Sequence, residues 1–153
     1  MRHADASAGG DDFDRPLSEA GLRQAHDVAA RFLSYGIGVD AIVSSSATRA
    51  MQTAVCVRDD LTAASAAPVE FHTADDLYNG RPDDWAAMTA RLAEGWDDVL
   101  MVGHNPAVAE IASRLCDDVV GCPPATVIDA RLDDWASLFT ARVAAVWRPE
   151  TPV

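Results

Sequence analysis

The chain has 153 residues, 49% of them hydrophobic and 24% charged, with 24 acidic against 12 basic residues and a formal net charge of −12. Length and composition describe one globular domain, residues 1–153, with a packed core, and exclude wholesale disorder. The negative balance argues against a nucleic-acid or anionic-membrane surface, because either needs a basic face; an anionic ligand must be gathered by a local cluster of cations.

Three cysteines, Cys56, Cys116 and Cys122, have neither CxxC nor metal-ligand spacing, and their odd number cannot close a disulfide framework. A reducing compartment fits this usage. No stretch reaches the roughly 20 apolar residues of a membrane span, and no apolar signal-peptide core follows Met1-Arg2-His3-Ala4-Asp5, so a cytoplasmic location is expected.

In chain order, Asp5 to Arg15 is almost free of apolar residues and reads as a loop. A helix is predicted from Ser18, which can cap it, towards a stop at Gly36, with Leu22, Ala25, Val28, Ala29, Phe32 and Leu33 on one face. A strand follows at Ala41-Ile42-Val43-Ser44, then a helix from about Ala47 to Leu61 carrying Ala50, Ala54, Val57 and Leu61 inward. Val69 to His72 is a short strand. After the Gly80-Arg81-Pro82 breaker, Trp85, Met88 and Leu92 mark a third helix. Val99 to Val102 has the unbroken apolar run of a strand buried on both faces, and a helix after Pro106 buries Val108, Ile111 and Leu115. Thr126 to Leu132 and Phe139 to Trp147 read as two strands joined around Asp133-Asp134. Helices alternating with buried strands predict a three-layer α/β/α sandwich with a mostly parallel central sheet.

Ligands of open α/β sheets bind at the carboxyl ends of the strands, so the polar residues that follow each strand are the ones to inspect. Arg2-His3 precedes the first loop, Ser45 to Thr53 with Arg49 follows the strand ending at Ser44, and Gly103-His104-Asn105-Pro106 follows the strand ending at Val102. Singly these are weak signals. A histidine after a strand is ordinarily a hydrogen-bonded structural residue, and Arg49 alone reads as the solvated first turn of a helix. Two histidines and two arginines offered to one sheet edge are harder to explain as packing.

On Arg2-His3-Ala4, Asp14-Arg15-Pro16-Leu17-Ser18-Glu19-Ala20-Gly21, Ser45 to Thr53 and Val102-Gly103-His104-Asn105-Pro106, the chain resembles the histidine phosphatase superfamily. The Asp-Arg-Pro-Leu-Ser run and the Gly-His-Asn-Pro corner resemble its small phosphohistidine phosphatase, SixA-like branch, over nearly the whole chain. The resemblance implies a phosphoglycerate-mutase-like fold and a phosphatase that acts through a phosphohistidine intermediate. His3 is then the nucleophile, since a neutral imidazole approaches anionic phosphorus with less repulsion than a carboxylate does. Arg2 and Arg49 supply planar forks for phosphoryl oxygens, and His104, if protonated by that anionic neighbour, adds a further cation. Arg15 either turns into the same pocket or pairs with Asp11, Asp12 or Asp14. Gln52 and Thr53 are expected to support the Arg49 turn.

Among Asp5, Asp12, Asp14, Asp75 and Asp76, Asp12 aligns best as the acid for the leaving group. The need for an acid depends on the substrate: an alkoxide requires a proton, whereas imidazole, with a conjugate-acid pKa of about 6.5, departs easily. Positioning and charge suffice for phosphoryl transfer, so neither metal nor cofactor is expected. The expected partner is a phosphorylated protein or a small phosphorylated molecule, most simply phosphohistidine in a protein. The alternatives are a small-molecule phosphomonoesterase or mutase of the same superfamily, and a weakly catalytic phosphohistidine-binding domain. His26 and His72 read as structural, and the four tryptophans as core or rim packing.

One departure concerns the start. The family carries an apolar strand before the Arg-His pair, where this sequence has Met1 alone, so the expectation is a reading frame that begins several residues upstream.

Overall fold

The computed structural model describes residues 1–65, 67–92 and 95–149; residues 66, 93–94 and 150–153 lie outside the description. Helix α1 spans Glu19–Ser34. Its Ser18 cap accepts a hydrogen bond from the Gly21 amide at 3.0 Å and donates one to Asp5 Oδ2 at 2.6 Å, which ties the helix start to the first loop. The other elements are β1 (Ala41–Ser44), α2 (Thr48–Ala64), β2 (Glu70–Thr73), α3 (Pro82–Arg91), β3 (Val99–Val102), α4 (Ala107–Cys116), β4 (Val127–Arg131) and β5 (Arg142–Trp147). A 3₁₀ turn, Asp75–Leu77, lies between β2 and α3.

The central sheet is parallel in the order β2-β1-β3, with Ile42 opposite Leu100 and Val43 opposite Met101. Alternation of side chains along the strands divides the core into two halves. Ile42, Leu100 and Val102 pack with Ala25, Val28, Ala29 and Phe32 of α1 and Ala50, Ala54 and Val57 of α2. Val43 and Met101 pack with Trp85 of α3 and Val108, Ile111 and Ala112 of α4. Two helices on each face make the three-layer sandwich.

The parallel central sheet and the sandwich are as expected, and the two C-terminal strands β4 and β5 pair antiparallel with each other. One expectation is corrected: Leu22 and Leu33 do not join the buried face of α1; they are 42% and 43% exposed. The reason is the close approach of α1 to its neighbours. Gly21, Ala25 and Ala29 form its buried stripe, and a Cβ at Gly21 would stand 1.9 Å from the Asp5 carbonyl oxygen. The buried face is centred on Gly21, Ala25, Val28, Ala29 and Phe32, and both leucines fall just beyond its same edge.

Residues 1–3 join the two sheets. The Arg2 amide donates to Thr126 O, the His3 amide to Gly103 O, the Gly103 amide to Met1 O and the Ala125 amide to His3 O, at 2.9–3.1 Å. Arg2 and Gly103 form a single parallel bridge. Beyond it, β3 and β4 line a cleft of about 640 Å³ with Met1, Val99, Leu100, Met101 and Val127 among its walls. Among the described residues no strand pairs across that cleft.

Candidate active site

The carboxyl ends of β1 and β3 and the segment after Met1 converge on one cluster. His3 and His104 are 8% and 6% exposed, with ring centroids 4.9 Å apart, and Arg49, 6% exposed, reaches both. Arg49 Nε donates to His3 Nε2 and its terminal NH2 contacts His104 Nδ1, each at 3.2 Å. Arginine nitrogens only donate, so both imidazole atoms act as acceptors. The tautomers follow from these partners. His3 carries its proton on Nδ1 and donates it to the Ala4 carbonyl at 2.7 Å, which leaves the Nε2 lone pair towards Arg49; His104 carries its proton on Nε2, 2.9 Å from Ser45 Oγ.

Local sequence explains these positions. Arg49 lies in the first turn of α2, whose start has no side-chain cap; the Thr48 amide is taken by the Phe13 carbonyl, so the first loop closes over the helix end. Thr53, fully buried one turn on, accepts from the Ala4 amide at 3.0 Å and donates to the Arg49 carbonyl at 2.7 Å, so one hydroxyl links the His3 segment to the Arg49 turn. Gln52 Oε1 accepts from the Leu17 amide at 2.7 Å. Thr53 thus bonds to the Arg49 turn, whereas Gln52 anchors the Leu17 segment of the first loop. His104 follows Gly103, where a Cβ would stand 2.4 Å from the Trp85 ring, so the absence of a side chain lets Trp85 pack against the β3–α4 corner.

Electrostatics keep both rings neutral. Burial, then the adjacent arginines, lower the His3 pKa to about 4, against the hydrogen bond to Ala4, which raises it. Burial, followed by His3 and Arg49, lowers that of His104 to about 3. His104 is thus neutral in the unliganded site, and its role as a cation depends on an arriving anion.

The other residues singled out from sequence divide. Arg2 donates from NH1 to the Cys122 carbonyl at 2.8 Å, while its Nε is buried without a partner among the described residues. Arg15 pairs with Asp12 at 3.2 Å and donates from Nε to Ser7 O, which is the ion-pair alternative, at the mouth of the same cluster. Asp12 is the aspartate that reaches Arg49: its Oδ2 lies 3.0 Å from NH2, and its backbone carbonyl accepts from NH1. Asp5 is occupied by Ser18. His26 and His72 sit away from the cluster, paired with Asp60 and Glu70.

Tyr78 is the side chain left unmarked by the sequence patterns. It follows the acidic 3₁₀ turn after β2, donates from its hydroxyl to Asp12 Oδ2 at 2.9 Å, and sets its ring edge-on to His104. The rule that sites gather behind parallel strands marks this segment too; the short, exposed β2 gives it a weak signal. The Tyr78 hydroxyl, then Arg49 and Arg15, hold the Asp12 carboxyl below the usual carboxylate range.

A buried pair of histidines is thus clasped by an arginine at the strand ends of an α/β sandwich. Residues 1–100 match the family model of the histidine phosphatase superfamily (branch 1), and the chain belongs to that superfamily, a phosphatase by class. A 115-residue stretch is 34% identical to the uncharacterized protein Rv1276c of Mycobacterium tuberculosis, covering 73% of this chain and 67% of that one. A Nakamurella multipartitia structure assigned as phosphohistidine phosphatase SixA superposes with a TM-score of 0.79 at 26% identity, over 99% of this chain and 94% of that one. The protein histidine phosphatase SixA in complex with tungstate shares the fold, with a TM-score of 0.81 at 23% identity over 95% and 92% of the two chains.

Proposed function

We propose that the protein removes phosphate from phosphohistidine carried on a protein, through a phosphoryl intermediate on His3 Nε2. The observation that carries this reading is the state of His3: buried, neutral, its Nδ1 proton given to Ala4, its Nε2 lone pair beside the Arg49 guanidinium. Nε2 forms a bond to phosphorus as the bond to the leaving nitrogen breaks, and that nitrogen takes a proton as it departs. Water then attacks the phosphorus on His3, the phosphorus–nitrogen bond breaks, and inorganic phosphate and neutral His3 are left. Arg49, and Arg2 through its unpartnered Nε, supply donors to the equatorial oxygens. His104 next to His3 takes up a proton as negative charge gathers beside it.

The state of the acid supports this substrate. Asp12 is ionised, held by Tyr78, Arg49 and Arg15, and an ionised carboxyl is a poor proton donor for an alkoxide. Imidazole leaves with little assistance. The rim is open as well: Asp12 and Phe13 are exposed, which suits a group presented on a protein surface.

The test is trapping of acid-labile phosphate on the protein from a phosphohistidine donor. Wild type is expected to carry label and His3→Ala to lose it, with turnover down by about a thousandfold or more; label that persists in His3→Ala overturns the assignment. Turnover of small alkyl phosphates equal to that of phosphohistidine overturns the substrate class.

A further inference from the structure

Every donor nitrogen of Arg49 is engaged by the protein itself. Nε goes to His3, NH1 to the Asp12 carbonyl, and NH2 to the Asp12 carboxylate and His104. Asp12 brings an oxyanion to a nearly buried guanidinium, and that oxyanion collects two further donors, Arg15 NH1 at 3.2 Å and the Tyr78 hydroxyl at 2.9 Å. A carboxylate with this set of donors occupies the ground a phosphoryl group needs, since both are planar-fork partners of arginine. Its anchorage is one-sided. The Asp12 side chain is 58% exposed and sits in the loop Ala8–Asp14, which contains Gly9 and Gly10 at φ +87° and +81° with open space around them. The Asp12 carbonyl stays held by Arg49 NH1, and the exposed carboxylate can turn outward about its own side-chain bonds without breaking core packing.

Resting on the phosphatase reading, we propose that Asp12 is a resident oxyanion of the phosphoryl site, seated on Arg49 in the unliganded protein and exchanged for the phosphoryl group on binding. In the exchange Arg49 NH2, Arg15 NH1 and the Tyr78 hydroxyl pass from the carboxylate to phosphoryl oxygens, which makes Tyr78 a substrate-binding residue. The arrangement keeps three donors oriented while the site is empty. It also sets a threshold: a ligand must compete with a tethered anion, so weakly charged groups are excluded.

The experiment measures binding of inorganic phosphate by calorimetry to wild type, Asp12→Asn and Asp12→Ala, with thermal melts to show that each variant is folded. Both variants are expected to bind phosphate about tenfold tighter or more, because the competing charge-assisted bonds are gone. Phosphate affinity unchanged or weakened in folded variants overturns the exchange and leaves the phosphatase reading standing. Absence of phosphate binding in all three proteins overturns both. Unchanged affinity together with a loss of turnover confined to esters of poorly acidic alcohols identifies Asp12 as a proton donor alone, and also overturns the exchange.

Discussion

At the scale of single residues, the site is a set of groups whose protonation is decided by burial. His3 and His104 titrate near 4 and 3 when folded, against about 6.5 for a free imidazole. The sign follows from linkage: below pH 6.5 the unfolded chain takes up protons that the folded chain refuses, so stability rises with pH in this window. Stability is expected to fall as the pH drops from 6.5 towards 4 and 3, and replacing His104 by Gln should flatten that fall; denaturant titrations at stepped pH check it. A midpoint profile as steep in the variant as in wild type contradicts the assignment. The same shift predicts that loss of the neutral nucleophile, read as phosphoryl-enzyme formation, sets in near pH 4 rather than near 6.5.

At the scale of elements, two contacts hold the chemistry in register. Thr53 ties the His3 segment to α2 through one hydroxyl. Thr53→Val keeps the shape but leaves the buried Ala4 amide unpaired, and is expected to cost about 1–3 kcal/mol and to lower turnover by on the order of tenfold through displacement of His3 from Arg49. Denaturation and steady-state kinetics on one preparation read both, and Thr53→Ser should restore most of each. Gly103 is the second contact. Gly103→Ala drives a methyl group into the Trp85 ring and is expected to destabilise by about 1–3 kcal/mol while moving His104; a variant of wild-type stability and activity would show that the β3–α4 corner yields freely.

At the scale of the whole molecule, backbone hydrogen bonds of residues 1–3 link β3 to the segment before β4, and β3 and β4 face each other across a cleft. Among the described residues the facing strand edges have no strand partner across the cleft and can accept one more strand, so an extension of about five apolar residues before Met1 is expected to raise Tm by about 4 °C or more. A control extension interrupted by proline should leave Tm unchanged; equal Tm for both extensions contradicts this account.

Features that depend on near neighbours along the chain were legible before any fold was known. The cap at Ser18, the spacing of Ala50, Ala54 and Val57, and the apolar run Val99–Val102 located helices and strands, because periodicity and capping act within a few residues. Arg49 and His104 were legible because each follows a predicted strand, and Arg2-His3 through the resemblance of its motif, since no predicted strand precedes it. The tertiary structure alone decided which atoms meet. Arg49 lies 46 residues from His3 and 55 from His104, and no local pattern gives the tautomer that results from their contact. Nor did the sequence show that Asp12, the aspartate that aligned best, rests on Arg49, or reveal Tyr78, or expose Leu22 and Leu33. Those outcomes depend on how closely α1 packs and where the first loop closes, which are set by the shapes of surfaces remote in sequence.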